Sequence, residues 1–150
     1  MDRIDYALLA LLQEDSRRTA DKIGEELGLS RSAITRRIQN LTQAGVIEKE
    51  VAILSDAFQR RRVTAIVNLQ LDRHQPQEAD QFRRELRALP EVQLAVAITG
   101  ASDFLLLVSV KDMDDFNIFS EKLAGMPLVR RYESNFIKRT IKFTTAVPLD

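Results

Sequence analysis

Up to about Asn40 the apolar residues recur every three or four positions, whereas from Val63 onward β-branched stretches alternate with longer helical ones. That change of period predicts two modules. In the first, Ile4, Leu8, Leu11 and Leu12 share one helical face, with Asp2, Asp5 and Glu14 pointing away. Thr19 starts a second helix, because its hydroxyl can accept a bond from an otherwise unpaired first-turn amide. Gly28 ends it by tolerating a left-handed backbone. Its inward face is Ala20, Ile23, Gly24 and Leu27. Ser30 caps a third helix that turns Ile34, Ile38 and Leu41 inward until Gly45 stops it.

The second module reads as strands over 63–71, 92–99, 104–110 and 129–142 and helices over 77–89 and 114–124, in the order βαββαβ. Phe82, Leu86 and Leu89 form the apolar stripe of its first helix; Met113, Phe116, Phe119 and Leu123 form that of its second. Two βαβ halves predict a ferredoxin-like arrangement with both helices on one face of a four-stranded antiparallel sheet. The other face, rich in Ile, Leu and Val, would leave a large apolar patch in water, so a second subunit is expected to cover it. The expected fold is therefore α+β. A helix-turn-helix (winged-helix-like) domain with an exit strand occupies 1–54, a linker 55–62, and an effector and oligomerisation domain 63–150. The linker carries Arg60, Arg61 and Arg62 in succession, which can be simply solvated or lie against phosphate.

Composition narrows what these modules can do. At 45% hydrophobic and 29% charged, the 150-residue chain has enough apolar surface to fold. Its 22 basic and 22 acidic residues cancel, so any nucleic-acid binding must come from a local patch. The chain has no cysteine, which removes disulfides, thiol catalysis and thiolate metal sites, and fits a reducing compartment. The opening MDRIDYALLALLQED reads as an amphipathic helix rather than a signal peptide. No run reaches the roughly 20 apolar residues of a membrane span. The cytoplasm is the expected location.

The local patch lies on the third helix. Only Leu29 separates Gly28 from Ser30, and so tight a turn lets the third helix project. With Ile34, Ile38 and Leu41 inward, Ser32, Arg36, Gln39, Asn40 and Gln43 point outward, with Arg31 and Thr35 at the rim. This set holds no acid, whereas the second helix shows Asp21, Glu25 and Glu26. Arginine can bond guanine bidentately, Gln and Asn can read adenine, and Ser or Thr can reach phosphate. An exposed helix start at Ser30 also favours phosphate. Ser30, Arg31, Ser32, Thr35, Arg36 and Gln39, near the helix start, form the expected reading set. Arg37 lies beside the core stripe and suits a salt bridge as well as a phosphate contact.

The stretch LSRSAITRRIQNLTQAGVI (29–47) resembles the recognition helix and exit strand of the Lrp/AsnC family, the leucine-responsive and feast-or-famine regulators of bacteria and archaea. DRIDYALLALLQEDSR (2–17) is similar to that family's first helix. The resemblance spans the chain. It implies a cytoplasmic homodimer, often assembled through its sheets into tetramers or octamers, that binds pseudo-palindromic double-stranded DNA and responds to amino acids. It implies no cofactor beyond an amino-acid effector.

The turn Thr99-Gly100-Ala101-Ser102-Asp103-Phe104 is, by itself, a hairpin whose Asp can cap local amides. By resemblance it is similar to a Gly-Asp-x-Asp turn that lines the family's amino-acid site, where backbone amides can hold a carboxylate and an Asp an ammonium group. Gly100 and Asp103 match; Ala101 replaces the first Asp, which leaves open a shifted preference, weaker binding or no effector. Phe136 and Ile137 align loosely with family pocket residues and also suit a core strand. Arg60 to Arg62 replace a glycine-containing approach found in many relatives.

An enzyme would need converging reactive groups, and the sequence offers no Cys, no metal-spaced histidine pair and no glycine-rich phosphate loop. The single His74 suits a solvated loop. Asp112, Asp114 and Asp115 suit a helix start. The other reading, a ligand-sensing or protein-interaction module without DNA binding, would call for Glu or apolar residues on the outer face of the third helix.

Overall fold

The computed structural model describes residues 1–73 and 75–149, apart from the side chain of Asp56; the reading of His74 falls outside the described residues. The chain divides into two compact units. One comprises Met1–Ile53 together with the C-terminal segment from Ile141, and the other Leu54–Thr140. Residues 141–149, placed with the second domain by the sequence reading, cluster with the first unit.

The first unit holds α1 (Arg3–Glu14), α2 (Ala20–Leu27) and α3 (Arg31–Gln43). An eight-residue helix such as α2 is too short to persist alone, so these helices depend on caps and on one another. Asp2 and Asp5 close a capping box on α1, each carboxylate accepting the other's amide at 2.9 Å. The Thr19 hydroxyl accepts the Lys22 amide at 3.3 Å, and the Ser30 hydroxyl the Ala33 amide at 3.3 Å. Leu8, Ile23, Ile34 and Leu41 form the buried centre, flanked by Leu11, Leu12, Leu27 and Ile38.

Between α2 and α3 the chain reverses in very little space. Gly28 adopts φ +69°, and the Leu29 amide returns to the Gly24 carbonyl at 2.9 Å. Gly24 is itself buried, and an added Cβ there would overlap the Leu29 carbonyl oxygen. The turn lies flat on α2 because Gly24 has no side chain.

After α3 the Val46 and Gly45 amides return to the carbonyls of Leu41 and Thr42. Residues 48–55, which hold the expected exit strand, join no ladder within this one chain.

The second unit begins with a single helical turn, α4 (Asp56–Gln59), where an irregular linker was expected. It continues as β1 (Val63–Leu71), α5 (Pro76–Ala88), β2 (Val92–Ala97), β3 (Phe104–Val110), α6 (Met113–Ala124) and β4 (Val129–Phe136). The strands lie in the order β2-β3-β1-β4, all neighbours antiparallel. Ala65, Val67 and Leu69 of β1 and Leu106, Val108 and Val110 of β3 pack against Phe82 and Leu86 of α5 and Phe116, Phe119 and Leu123 of α6. On the opposite face, Ile66, Leu94, Val96, Leu105 and Leu107 form a continuous apolar stripe through the pairs Ile66↔Leu107, Leu94↔Leu107 and Val96↔Leu105. Leu94 and Val96 remain 47% and 37% exposed there.

Strand β4 is shorter than expected, ending at Phe136. Phe136 pairs with Ala65, and the Ile137 amide reaches the Thr64 carbonyl, so only Val63, the first residue of β1, lies beyond that contact. Arg62 is not a free linker cation: its Nε and Nη2 donate to the Ser109 hydroxyl (3.0 Å) and carbonyl (3.2 Å).

An alanine at position 24 would gain about 1 kcal/mol of helix propensity but push against backbone, and overpacking costs about 1–3 kcal/mol. Gly24→Ala should therefore lower unfolding free energy by up to about 2 kcal/mol in urea denaturation. An unchanged midpoint would show that the turn can shift away.

Candidate nucleic-acid interface and effector turn

Helix α3 presents Ser32, Thr35, Arg36, Gln39, Asn40 and Gln43 to solvent, as its periodicity predicts. The side chains of Arg36, Gln39 and Asn40 have no partner among the described residues. The Ser30 and Ser32 hydroxyls lie 3.1 Å apart at the helix start, where the cap satisfies the Ala33 amide. The Thr35 hydroxyl donates to the Arg31 carbonyl at 2.9 Å, leaving its oxygen lone pairs for other donors. Arg31 stands 3.7 Å from Asp21 with both side chains well exposed, a pairing worth little in water.

Arg37 behaves differently. Its Nη1 donates to Asp2 Oδ2 at 2.9 Å and to Asp5 Oδ1 at 2.6 Å, tying α3 to the start of α1. Of its two sequence readings, the structure realises the salt bridge. Asp5, expected to face away, is accordingly only 15% exposed, because the guanidinium draws it toward α3. The Asp2 carboxyl is held below the usual range, first by the Asp5 amide it accepts and then by Arg37. Arg37 in turn is raised above its ordinary value by its bonds to Asp5 and Asp2.

Of the acids of α2, Glu26 is taken by Arg18 at 2.9 Å, which also takes Glu14 of α1 at 2.8 Å, and Asp21 stands near Arg31 at 3.7 Å; α3 itself has no acid in its first turn. A helix start without acids, flanked by Arg31 and Arg36, favours an anion. Sequence reasoning missed the anchoring role of Asp2 and Asp5; an Asp pair spaced for a capping box was the available signal.

In the second unit the turn from Thr99 to Asp103 joins β2 to β3, with Gly100 at φ +118°. Its backbone is braced from both sides. The Asp103 amide donates to the Leu69 carbonyl and Asp103 Oδ2 accepts the Leu71 amide, each at 2.8 Å. Gln70 Nε2 donates to the Ala101 carbonyl at 2.8 Å, and Arg130 Nη2 donates to Gln70 Oε1 at 3.1 Å. Thr99, Gly100, Ala101 and Asp103 are exposed, and the amides of Gly100, Ala101 and Ser102 have no partner among the described residues. Phe104 turns inward, its ring 5.6 Å from Phe82, edge to face.

Next to Phe104, a groove of about 310 Å³ opens between α5 and the edge strand β2, lined by Arg83, Leu86, Arg87, Val92, Ala95 and Phe104. No motif in the sequence marks it. Phe136 is 46% exposed, its ring 4.8 Å from Phe116, which makes it a rim residue rather than a core one. Asp112 accepts the Asp115 amide at 3.0 Å as the cap of α6.

A tightly turned two-helix reader and a βαββαβ unit with a braced β2–β3 turn lie on one chain, and known proteins share both. Residues 64–147 match the Lrp/AsnC ligand binding domain, and residues 1–42 match the AsnC-type helix-turn-helix domain. The chain belongs to the Lrp/AsnC family. A crystal structure of an AsnC family transcriptional regulator from Agrobacterium tumefaciens superposes on this Lrp/AsnC protein with a TM-score of 0.91, at 32% identity over 99% of this chain and 97% of that one. A transcriptional regulator from Neisseria meningitidis, solved as an L-Met complex, gives a TM-score of 0.91 at 30% identity over 100% and 97%. An HTH-type transcriptional regulator of Sinorhizobium fredii is 33% identical over 151 residues, covering 100% of this chain and 89% of the relative. The Lrp/AsnC chain is accordingly a DNA-binding transcriptional regulator, and none of its helices is long and apolar enough to cross a membrane among the described residues.

Proposed function

We propose that this regulator reads the major groove with the exposed face of α3, as a dimer, under the control of an amino acid. The observation that carries the first part is the division of labour on α3: Arg37 is spent on Asp2 and Asp5, while Arg36, Gln39 and Asn40 are exposed with no partner among the described residues. Arg36 suits guanine, Gln39 and Asn40 suit adenine, and Ser30, Arg31, Ser32 and Thr35 suit the flanking phosphates. Arg36→Ala should weaken binding to a DNA fragment selected by the protein from a random pool by about 1–3 kcal/mol, with the melting temperature unchanged. Equal affinity in fluorescence anisotropy would remove Arg36 from the reading face.

One head contacts too few bases for strong discrimination, and a two-fold dimer doubles the reading surface. The apolar stripe of Leu94, Val96, Leu105, Leu107 and Ile66 supports a second copy on the open sheet face, since an uncovered patch of this kind is costly in water. Larger assemblies of such dimers follow the same logic. Sedimentation velocity at micromolar concentration should show dimer or larger species; a monomer boundary would sink this assignment.

The amino-acid part rests on the amides of Gly100, Ala101 and Ser102, which have no partner among the described residues and suit a carboxylate, and on the L-Met bound by the Neisseria meningitidis relative. Asp103 has one oxygen committed to the Leu71 amide, so an ammonium group would meet the other. Thermal-shift measurements with the twenty amino acids should find at least one that stabilises the chain. Asp103→Asn keeps an acceptor for Leu71 but loses the charge, and should erase that shift. A shift that survives the substitution would move the site away from this turn.

A further inference from the structure

The C-terminal segment 141–149 continues from the second unit yet clusters with Met1–Ile53. Its side chains do not explain this, since Ile141, Phe143 and Val147 are 87%, 61% and 61% exposed. A backbone clamp does. Gln13 Nε2 donates to the Val147 carbonyl at 3.1 Å, and the Val147 amide donates to Gln13 Oε1 at 2.7 Å. A single primary amide thus satisfies both main-chain groups of one residue, the donor and acceptor pair that a neighbouring strand would offer. Pro148 follows Val147 and confines it to extended conformations, so little freedom is lost when Gln13 takes hold.

Gln13 sits in the last turn of α1, a rod roughly 18 Å long at 1.5 Å per residue. The opposite end of that rod carries Asp2 and Asp5, which hold Arg37 of α3. The contacts therefore run without a break from Val147 to Gln13, along α1, and through Asp2 and Asp5 to α3.

We propose that Gln13 is a positioning residue for DNA binding: it clamps the C-terminal segment to α1, and α1 passes that constraint through Arg37 to the reading helix. This rests on α3 being the DNA-reading face. The DNA-binding unit thus has two covalent connections to the second unit, one after Ile53 and one after Thr140.

The test measures, in the full-length chain, the ratio of affinities for a selected DNA fragment and for random-sequence DNA. Loss of folded protein lowers both affinities together and leaves the ratio unchanged. Gln13→Ala should lower the ratio roughly three- to tenfold, within the range by which residues along a coupled network act. Val147→Pro, which removes the amide donor, should match it, and Val147→Ala, which keeps the backbone, should not. Deleting 141–150 should have the same effect, and adding Gln13→Ala to the deletion should change nothing further. An unchanged ratio in Gln13→Ala and Val147→Pro overturns the proposal, as does full additivity with the deletion. Arg36→Ala serves as the separate control. If it leaves selected binding intact, the assignment of α3 fails and this inference with it; if only the Gln13 and Val147 variants are silent, the inference alone fails.

Discussion

The reversal at Gly24, Gly28 and Leu29 governs what the first unit can do. A helix reads a groove only if one face is free and its start is exposed, and both follow from how α3 leaves α2. The Leu29 carbonyl lies where a Gly24 side chain would be, which brings the turn down onto α2. With Ile34 and Leu41 then drawn into the core beside Leu8 and Ile23, and Ile38 packed against them, the face of α3 that carries Ser32, Arg36, Gln39 and Gln43 is left outward. The caps at Thr19 and Ser30 satisfy first-turn amides on either side of the reversal, so neither helix needs further residues to end cleanly.

Charge is distributed by the same logic. A chain with zero net charge gains affinity for DNA only by keeping selected cations unpaired. The structure divides its arginines accordingly. Arg37 joins α3 to α1, Arg18 occupies acids of α1 and α2, and Arg62 bonds Ser109, while Arg36 stays open on the reading face. Arginines spent on the fold orient the arginines left for the ligand.

In the second unit, the β2–β3 turn is held by β1 and, through Gln70, by Arg130 of β4. Asp103 contributes to that bracing, so an acid at this position has a structural duty whatever it binds. Ala101 offers no charge beside it, but its carbonyl is the point that Gln70 grips. The turn is therefore shaped by backbone contacts that tolerate the loss of a side-chain acid.

Periodicity and turn chemistry were enough to read the three head helices, the βαββαβ order and the outward face of α3, because each depends on residues within a few positions of one another. Strands β1 and β3 and the caps at Thr19, Ser30 and Gly28 were legible for the same reason. Contacts between distant segments were not. That Arg37 would choose Asp2 and Asp5, that Arg62 would reach Ser109, and that Gln13 would seize Val147 across 134 positions depends on which surfaces the folded chain brings together. The end of β4 was hidden similarly, since a strand extends only as far as its partner does. The sequence by itself determined the elements and their apolar faces, which are local properties of the chain. Only the tertiary structure decided which polar side chains were consumed and which stayed free, because long flexible arginine and glutamine side chains bond whatever the packing of those apolar faces places within their reach.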